Sequence, residues 1–331
     1  MTGQPLLSIR NLEVSLSARR GPGVPVVRGL DLDLRRGGIV GLVGESGSGK
    51  SITMMSILGL LPRNARVSGS VRLDGEEILG LSEARLSRIR GARIGMIFQD
   101  PMMALNPLIT VGDQIAEAMA IHDPRSPRKQ RQERAVELLR SVSIPDAARR
   151  ARQYPHEFSG GMRQRAVIAM AIANDPDLLI ADEPTTALDV TIQAQIIDLL
   201  RRLCEERDMG LILVTHDLGV VAEIAHDIVT MYAGRIVEQG SVRSTFKAPR
   251  HPYTSALFSS RPSVARRVGN LTSIPGAPPS PRELPPGCSF SPRCPASREL
   301  CRVEFPPPVP LRHGIVSCFF PVPDAVGNSH E

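Results

Sequence analysis

Aromatic residues are scarce in this chain: three Tyr, eight Phe and no Trp among 331 residues, with the first ring only at Phe98. Proteins that grip single-stranded nucleic acid commonly stack its bases on aromatic side chains, and a chain this poor in rings offers no such platform. Long apolar runs are missing too. No stretch approaches the roughly 20 consecutive apolar residues a membrane-spanning helix needs, and the opening MTGQPLLSIRNLEV lacks the basic, apolar and small-residue blocks of a signal peptide. The expectation is a chain that stays in the cytoplasm. Cysteine is also sparse, five in all, yet three fall within PPGCSFSPRCPASRELC, Pro285 to Cys301. In a reducing compartment such clustering favours metal or redox chemistry over structural disulfides.

What is present is ordinary for a globular protein: 42% hydrophobic residues, and a net charge of +6 from 40 Lys+Arg against 34 Asp+Glu. Basic residues crowd Arg125 to Arg134 and Arg149 to Arg152. They read as solvated helix faces, with an acidic membrane surface or nucleic acid as the other possible partners. Short runs such as LLSIRNLEV, GIVGLV, SVRLDG and RIGMIF read as strands, and the second leads through glycines into an apolar helix from about Ser51 to Leu60. Asp177 to Ala181 and Gly210 to Thr215 are compact apolar strands, each followed by a helical pattern, which implies an α/β core with a largely parallel sheet. Between Pro107 and Arg152 the pattern turns helical and polar, as in ERAVELLRSV, and predicts an inserted helical subdomain. After Gly240 the composition shifts. Residues 262 to 323 are proline-rich, which excludes regular helices and favours an extended, turn-rich appendix. There is no internal repeat.

Gly44, Glu45, Ser46, Gly47, Ser48, Gly49, Lys50 and Ser51 spell GESGSGKS, the pattern of a phosphate-binding loop in its required place after a strand and before a helix. The glycines let backbone N–H groups converge on phosphate oxygens, and the helix N-terminus adds a favourable partial charge. Lys50 would reach the β and γ phosphates, and the Ser51 hydroxyl would ligate Mg2+. The bland alternative is a glycine-rich turn without a ligand. Downstream, DLLIADE is an apolar strand ending in two carboxylates. Asp182 is placed to hold Mg2+ through water, and Glu183 to polarise an attacking water as general base. Mere surface charge is the competing reading of that pair.

EFSGGMRQR, Glu157 to Arg165, about twenty residues before DLLIADE, resembles the signature segment of ATP-binding-cassette (ABC) ATPases. Phe98-Gln99-Asp100-Pro101 resembles that family's Q-loop, Ala187-Leu188-Asp189 its D-loop, and Val214-Thr215-His216-Asp217 its H-loop. The resemblance covers about residues 6 to 240. It implies an α/β P-loop NTPase with a parallel-sheet core, an antiparallel β subdomain and an inserted helical subdomain at about residues 100–170. The ATPase domain would span 1–240, and a Pro/Cys-rich extension 241–331. It also implies a head-to-tail pair of cassettes, in which Ser159, Gly160, Gly161 and Met162 serve the partner's ATP and Lys50 the chain's own. Gln99 would contact Mg2+ and the attacking water, and relay the γ phosphate to the helical insertion. His216 would bond that phosphate, and Asp189 belongs to the D-loop. Two departures stand out. Met162 replaces the commonest Gln, and the usual adenine-stacking aromatic of the N-terminal strand is missing, Leu16 or a neighbour being an apolar substitute.

ABC ATPases drive importers, exporters, DNA-repair machines and translation factors. SGGMRQR, ALNPLITVGDQI and HPYTSAL together resemble the ATPase subunits of oligopeptide and dipeptide importers. That resemblance implies an ATP-hydrolysing peripheral subunit at the cytoplasmic face of the inner membrane, energising import of di- or oligopeptides. Its partners would be two permease proteins, a second related ATPase chain or a second copy of itself, and an extracellular solute-binding protein. Nickel or glutathione as the solute, and an ABC ATPase acting on nucleic acid, are the alternatives. A single cassette without a long heptad segment speaks against nucleic acid.

Cys288, Cys294, Cys301 and Cys318 supply the four thiolates that close a tetrahedral zinc site or a 4Fe-4S cluster. The absence of a short Cys-x2-4-Cys pair favours the cluster over zinc; free thiols are the third reading. The segment also resembles the C-terminal extension of dipeptide-importer ATPases, in some of which it carries 4Fe-4S. Cys204, in LLRRLCEER, reads as a lone packed thiol.

Overall fold

The computed structural model describes residues 4–17, 23–186, 188–260 and 274–323. The chain divides into two compact units. One comprises Met1–Leu7, Asp33–Ile39 and Arg72–Val214, the other Ser8–Leu32, Val40–Val71 and Thr215–Glu331.

In the first unit, strands Ile94–Ile97, Leu178–Asp182 and Gly210–Val214 lie parallel, Ile94 opposite Leu178 and Leu178 opposite Gly210. The last two strands are buried at every position. Continuous apolar runs of this kind are what a parallel sheet covered on both faces requires. The predicted insertion is helical: Pro101–Ala104, Val111–His122, Arg128–Ser141 and Ala147–Arg150 precede helix Gly160–Ala171. Thr110 caps Val111–His122 by accepting from Asp113 N–H, which satisfies an otherwise orphan donor of its first turn. From Arg128 the basic stretch runs into an amphipathic helix, Arg128–Ser141. Ala135, Leu138 and Leu139 are buried while Arg128 and Lys129 are exposed.

In the second unit, strand Ile39–Val43 pairs in parallel with Asp227–Tyr232, which continues antiparallel into Arg235–Ser241. Strands Val24–Leu34, Leu7–Leu16 and Ala65–Leu73 follow one another in a separate sheet. The region after Gly240 does more than coil over the surface. Its strands Gly314–Val316 and Val309–Leu311 extend the sheet edge at Arg235–Ser241, with Glu238 opposite Val316. The expectation that this region excludes regular helix needs correcting, because Glu299–Val303 forms a short one. It falls in the proline-free interval between Pro295 and Pro306, where every N–H can still donate. Among the described residues no helix is long and apolar enough to cross a membrane.

Candidate functional site

Strand Ile39–Val43 delivers the chain to Gly44. A Cβ at Gly44 would lie 2.3 Å from the Met231 carbonyl oxygen, so only glycine passes this point. Gly49, at φ +103°, is the N-cap of helix Lys50–Ile57. The loop between curls around the Lys50 ammonium, which donates to Gly44 O at 2.7 Å, Glu45 O at 3.0 Å and Ser48 Oγ at 3.4 Å. Lys50 is thereby buried with its charge held by loop oxygens beside a helix N-terminus, an arrangement suited to an anionic phosphate. Ser51 follows in the first turn and is half-buried. Two further groups grip the loop from the extension side. The Glu45 N–H donates to the Tyr253 hydroxyl at 2.8 Å, and the Glu45 carboxylate accepts from Arg293 Nη1 at 2.6 Å and Nη2 at 3.0 Å. In the same unit His216 is exposed just past the end of strand Gly210–Val214, and buried Thr215 before it accepts from the Asp217 N–H.

The first unit holds the carboxylates. Asp182 ends strand Leu178–Asp182 and is buried. Glu183 turns the chain with φ +48°, a left-handed conformation that costs a non-glycine residue about 1 kcal/mol or more. Its N–H donates to Val214 O at 2.9 Å, and its Oε2 accepts from Gln99 Nε2 at 3.1 Å and Thr186 Oγ1 at 2.9 Å. The Glu183 carboxylate is therefore aimed by two side chains. Gln99 stands just before Asp100, which N-caps the short helix Pro101–Ala104. With its amide nitrogen engaged, the Gln99 oxygen is the atom able to face a cation.

Ser159 caps helix Gly160–Ala171 by accepting from Met162 N–H at 3.3 Å, and Ser159 and Gly160 are exposed. Gly161 is small for a packing reason: a Cβ there would meet Ile192 Cγ2 at 2.8 Å. Asp189 likewise caps Val190–Arg207, accepting from Ile192 N–H at 3.0 Å. Ala187 of the D-loop motif lies outside the described residues.

Cys288, Cys294, Cys301 and Cys318 all line one cavity of about 20 Å3, together with His251 and Phe290. Cys288 N–H donates to Cys301 O at 2.8 Å, and a Cβ on Gly287 would collide with that same oxygen at 2.4 Å, so glycine permits this approach. Burial pushes the Cys288, Cys294 and Cys318 thiols up, the last to about 11. The negative charge of neighbouring thiolates adds to the rise. The four thiols thus share one small cavity, Cys301 buried and the other three half-buried. As placed, however, no group of three or more His, Cys, Asp or Glu side chains among the described residues is disposed to hold a metal ion. Cys204 is buried, its thiol pushed up to about 12 by desolvation, as a packed structural cysteine should be.

Sequence reasoning missed Thr186, Tyr253 and Arg293. The only local signal was their membership of the segments after DLLIADE, in HPYTSAL and between Cys288 and Cys294; nothing near them in sequence points to Glu183 or Glu45.

Comparison with known proteins agrees with these features. The family profile for the ABC transporter matches residues 27–186, and that for the oligopeptide/dipeptide transporter C-terminal region matches residues 237–301. The oligopeptide transport ATP-binding protein OppD of Mycobacterium tuberculosis is 53% identical over 303 residues, covering 91% of this chain and 49% of the relative. The chain thus spans about half the length of its mycobacterial relatives. A putative peptide import ATP-binding protein of Brucella melitensis biotype 1 is 51% identical, covering 93% of this chain and 94% of the relative. The dipeptide transport ATP-binding protein DppD of Escherichia coli K12 is 47% identical, covering 97% and 98%. Among solved structures, a dimeric ATP-binding cassette in a post-hydrolysis state with ADP and Pi matches at a TM-score of 0.64 and 28% identity, covering 72% of this chain and 99% of that one. The cassette cbiO1 of Clostridium perfringens matches at 0.64 and 25%, covering 74% and 91%. The chain has the ABC ATPase cassette fold, belongs to the ABC transporter family, and carries at residues 237–301 a match to the oligopeptide/dipeptide transporter C-terminal region.

Proposed function

We propose that the chain binds and hydrolyses ATP and so powers import of di- or oligopeptides. The observation that carries the reading is the phosphate loop: three glycines and a helix N-terminus wrapped around a buried Lys50. The names of near-full-length relatives supply the substrate class. Residues 1–240 would be the ATPase domain, with a helical subdomain at about 100–170, and residues 241–331 the transporter-specific extension.

In this reading Gly44–Ser51 bind the triphosphate and Lys50 neutralises its β and γ oxygens. Glu183, held by Gln99 and Thr186, takes a proton from water as the water oxygen attacks the γ phosphorus in line; the bond to the β-bridging oxygen breaks, leaving ADP and phosphate. Ser51, Asp182 and Gln99 are the residues that would hold Mg2+, which would supply charge neutralisation on the phosphates. His216 orients the γ phosphate. The exposed Ser159–Gly160 edge and Asp189 serve a second cassette, a related chain or another copy. Closure of that pair drives two permease subunits at the cytoplasmic membrane face, and an extracellular binding protein brings the peptide. Cys288, Cys294, Cys301 and Cys318 are the residues that would hold a 4Fe-4S cluster, which would staple the proline-rich extension; all four line one cavity, although as placed they are not disposed to hold a metal ion.

Glu183→Gln tests the ATPase reading. In the transporter reconstituted with its permease partners, this change should lower ATP turnover at least about a hundredfold while ATP still binds. Unchanged turnover refutes it.

A further inference from the structure

We propose that Arg293, in the C-terminal extension, is a positioning residue for the phosphate loop, acting through a two-pronged ion pair with Glu45. Every nitrogen of its guanidinium is used. Nη1 and Nη2 donate to the two Glu45 carboxylate oxygens at 2.6 and 3.0 Å, and Nη1 also donates to the Tyr232 hydroxyl at 3.2 Å. Nε donates to Pro275 O at 2.8 Å, and Nη2 makes a longer contact with Ile274 O at 3.4 Å. The Arg293 side chain is only 6% exposed, and Glu45 is 25% exposed. A charge so enclosed stays in place only because each of its donors is satisfied, and the parallel fork suits guanidinium and not ammonium.

Glu45 is the second residue of the phosphate loop, so the clamp acts where backbone N–H groups must converge on the phosphates. Its backbone is held as well, by the Tyr253 hydroxyl that accepts from the Glu45 N–H. Tyr253, Tyr232 and Phe290 form one packed aromatic cluster, with centroids 4.6 to 5.3 Å apart, so this anchor is rigid. Two consequences follow for the nucleotide. Arg293 fixes the start of the loop, and it neutralises a carboxylate that would otherwise stand unpaired beside a polyanionic ligand. Arg293 lies between Phe290 and Cys294, both of which line the cysteine cavity. Order in that segment is therefore a condition of order in the loop.

The test uses the full chain and rests on the ATP reading above. Arg293→Ala should weaken ATP and ADP binding by about tenfold, which corresponds to 1.4 kcal/mol. Adenosine, which has no phosphate for the loop to grip, should bind as it does to the unaltered chain. In turnover the loss should appear as a raised KM for ATP with kcat within about twofold. Adding Glu45→Gln to Arg293→Ala removes the carboxylate that has lost its arginine and should restore part of the affinity. Arg293→Lys keeps the charge without the fork and should show an intermediate loss, which keeps the idea testable if the alanine variant misfolds. A folded Arg293→Lys or Arg293→Ala protein that binds ATP within about twofold of the unaltered chain overturns the proposal. Failure of the unaltered chain to bind ATP or ADP at all overturns the ATP reading instead.

Discussion

Asp177 stands immediately before strand Leu178–Asp182, which leads into Glu183, and it is tied down by two arginines. Arg36 Nη1 meets Asp177 Oδ1 at 2.9 Å, and Arg93 Nε meets Oδ2 at 2.9 Å. Asp177→Asn keeps the shape, removes the charge, and turns one accepting atom into an amide that faces a donor. A hydrogen bond to a charged group contributes about 1.5–3 kcal/mol when desolvated. The side chains here are 27% to 41% exposed, so solvent screening discounts each bond towards the low end. The pair together should then be worth about 1.5–3 kcal/mol, or roughly 2–4 °C in melting temperature for a chain of this size. Burial alone would raise the Asp177 pKa, but the bonds from Arg36 and Arg93, with their positive charge, outweigh it and hold the carboxyl below its ordinary value of 3.8. The sign follows from linkage. A carboxyl with a depressed folded-state pKa contributes stability that is fully present above the unfolded value and is lost as pH falls through the folded one. Melting followed by circular dichroism should show the full gap between Asp177→Asn and the unaltered chain at neutral pH, and a shrinking gap once pH drops below about 3.8. A gap of equal size at neutral pH and at about pH 3 would refute the ionic argument and assign the loss to packing.

Gly161→Ala should lower ATP turnover, because its methyl would press on Ile192 Cγ2 from 2.8 Å at the exposed signature turn; Ile192→Ala in the same chain should recover part of the loss, and failure to recover would discard the steric account. Protein purified without oxygen should be brown and contain about four irons per chain, and Cys318→Ser should bleach it; a colourless, iron-free sample refutes the cluster.

Much of the site was legible because its chemistry depends on neighbours in sequence. A phosphate loop works only as contiguous residues between a strand and a helix, and its glycines report the positive φ values that Gly47 and Gly49 adopt at +80° and +103°. DLLIADE announced a buried strand ending in carboxylates for the same local reason, and the Ser159 and Asp189 caps follow from short polar side chains just before helices. The short helix at Glu299–Val303 was hidden by averaging proline content over sixty residues, whereas helix formation responds to the proline-free interval itself.

Other features exist only through folding. Gln99 reaches Glu183 across 84 residues, Tyr253 reaches the Glu45 N–H across 208, and Arg293 its carboxylate across 248. The sequence by itself determined the cassette motifs, the parallel core and the number of thiols in the extension, since each is written in local pattern or composition. Only the tertiary structure decided that Cys318 joins the other three cysteines around one cavity and that the extension grips the phosphate loop. The physical reason is that hydrogen bonds and ion pairs depend on ångström distances between atoms, and chain folding sets those distances independently of separation along the sequence.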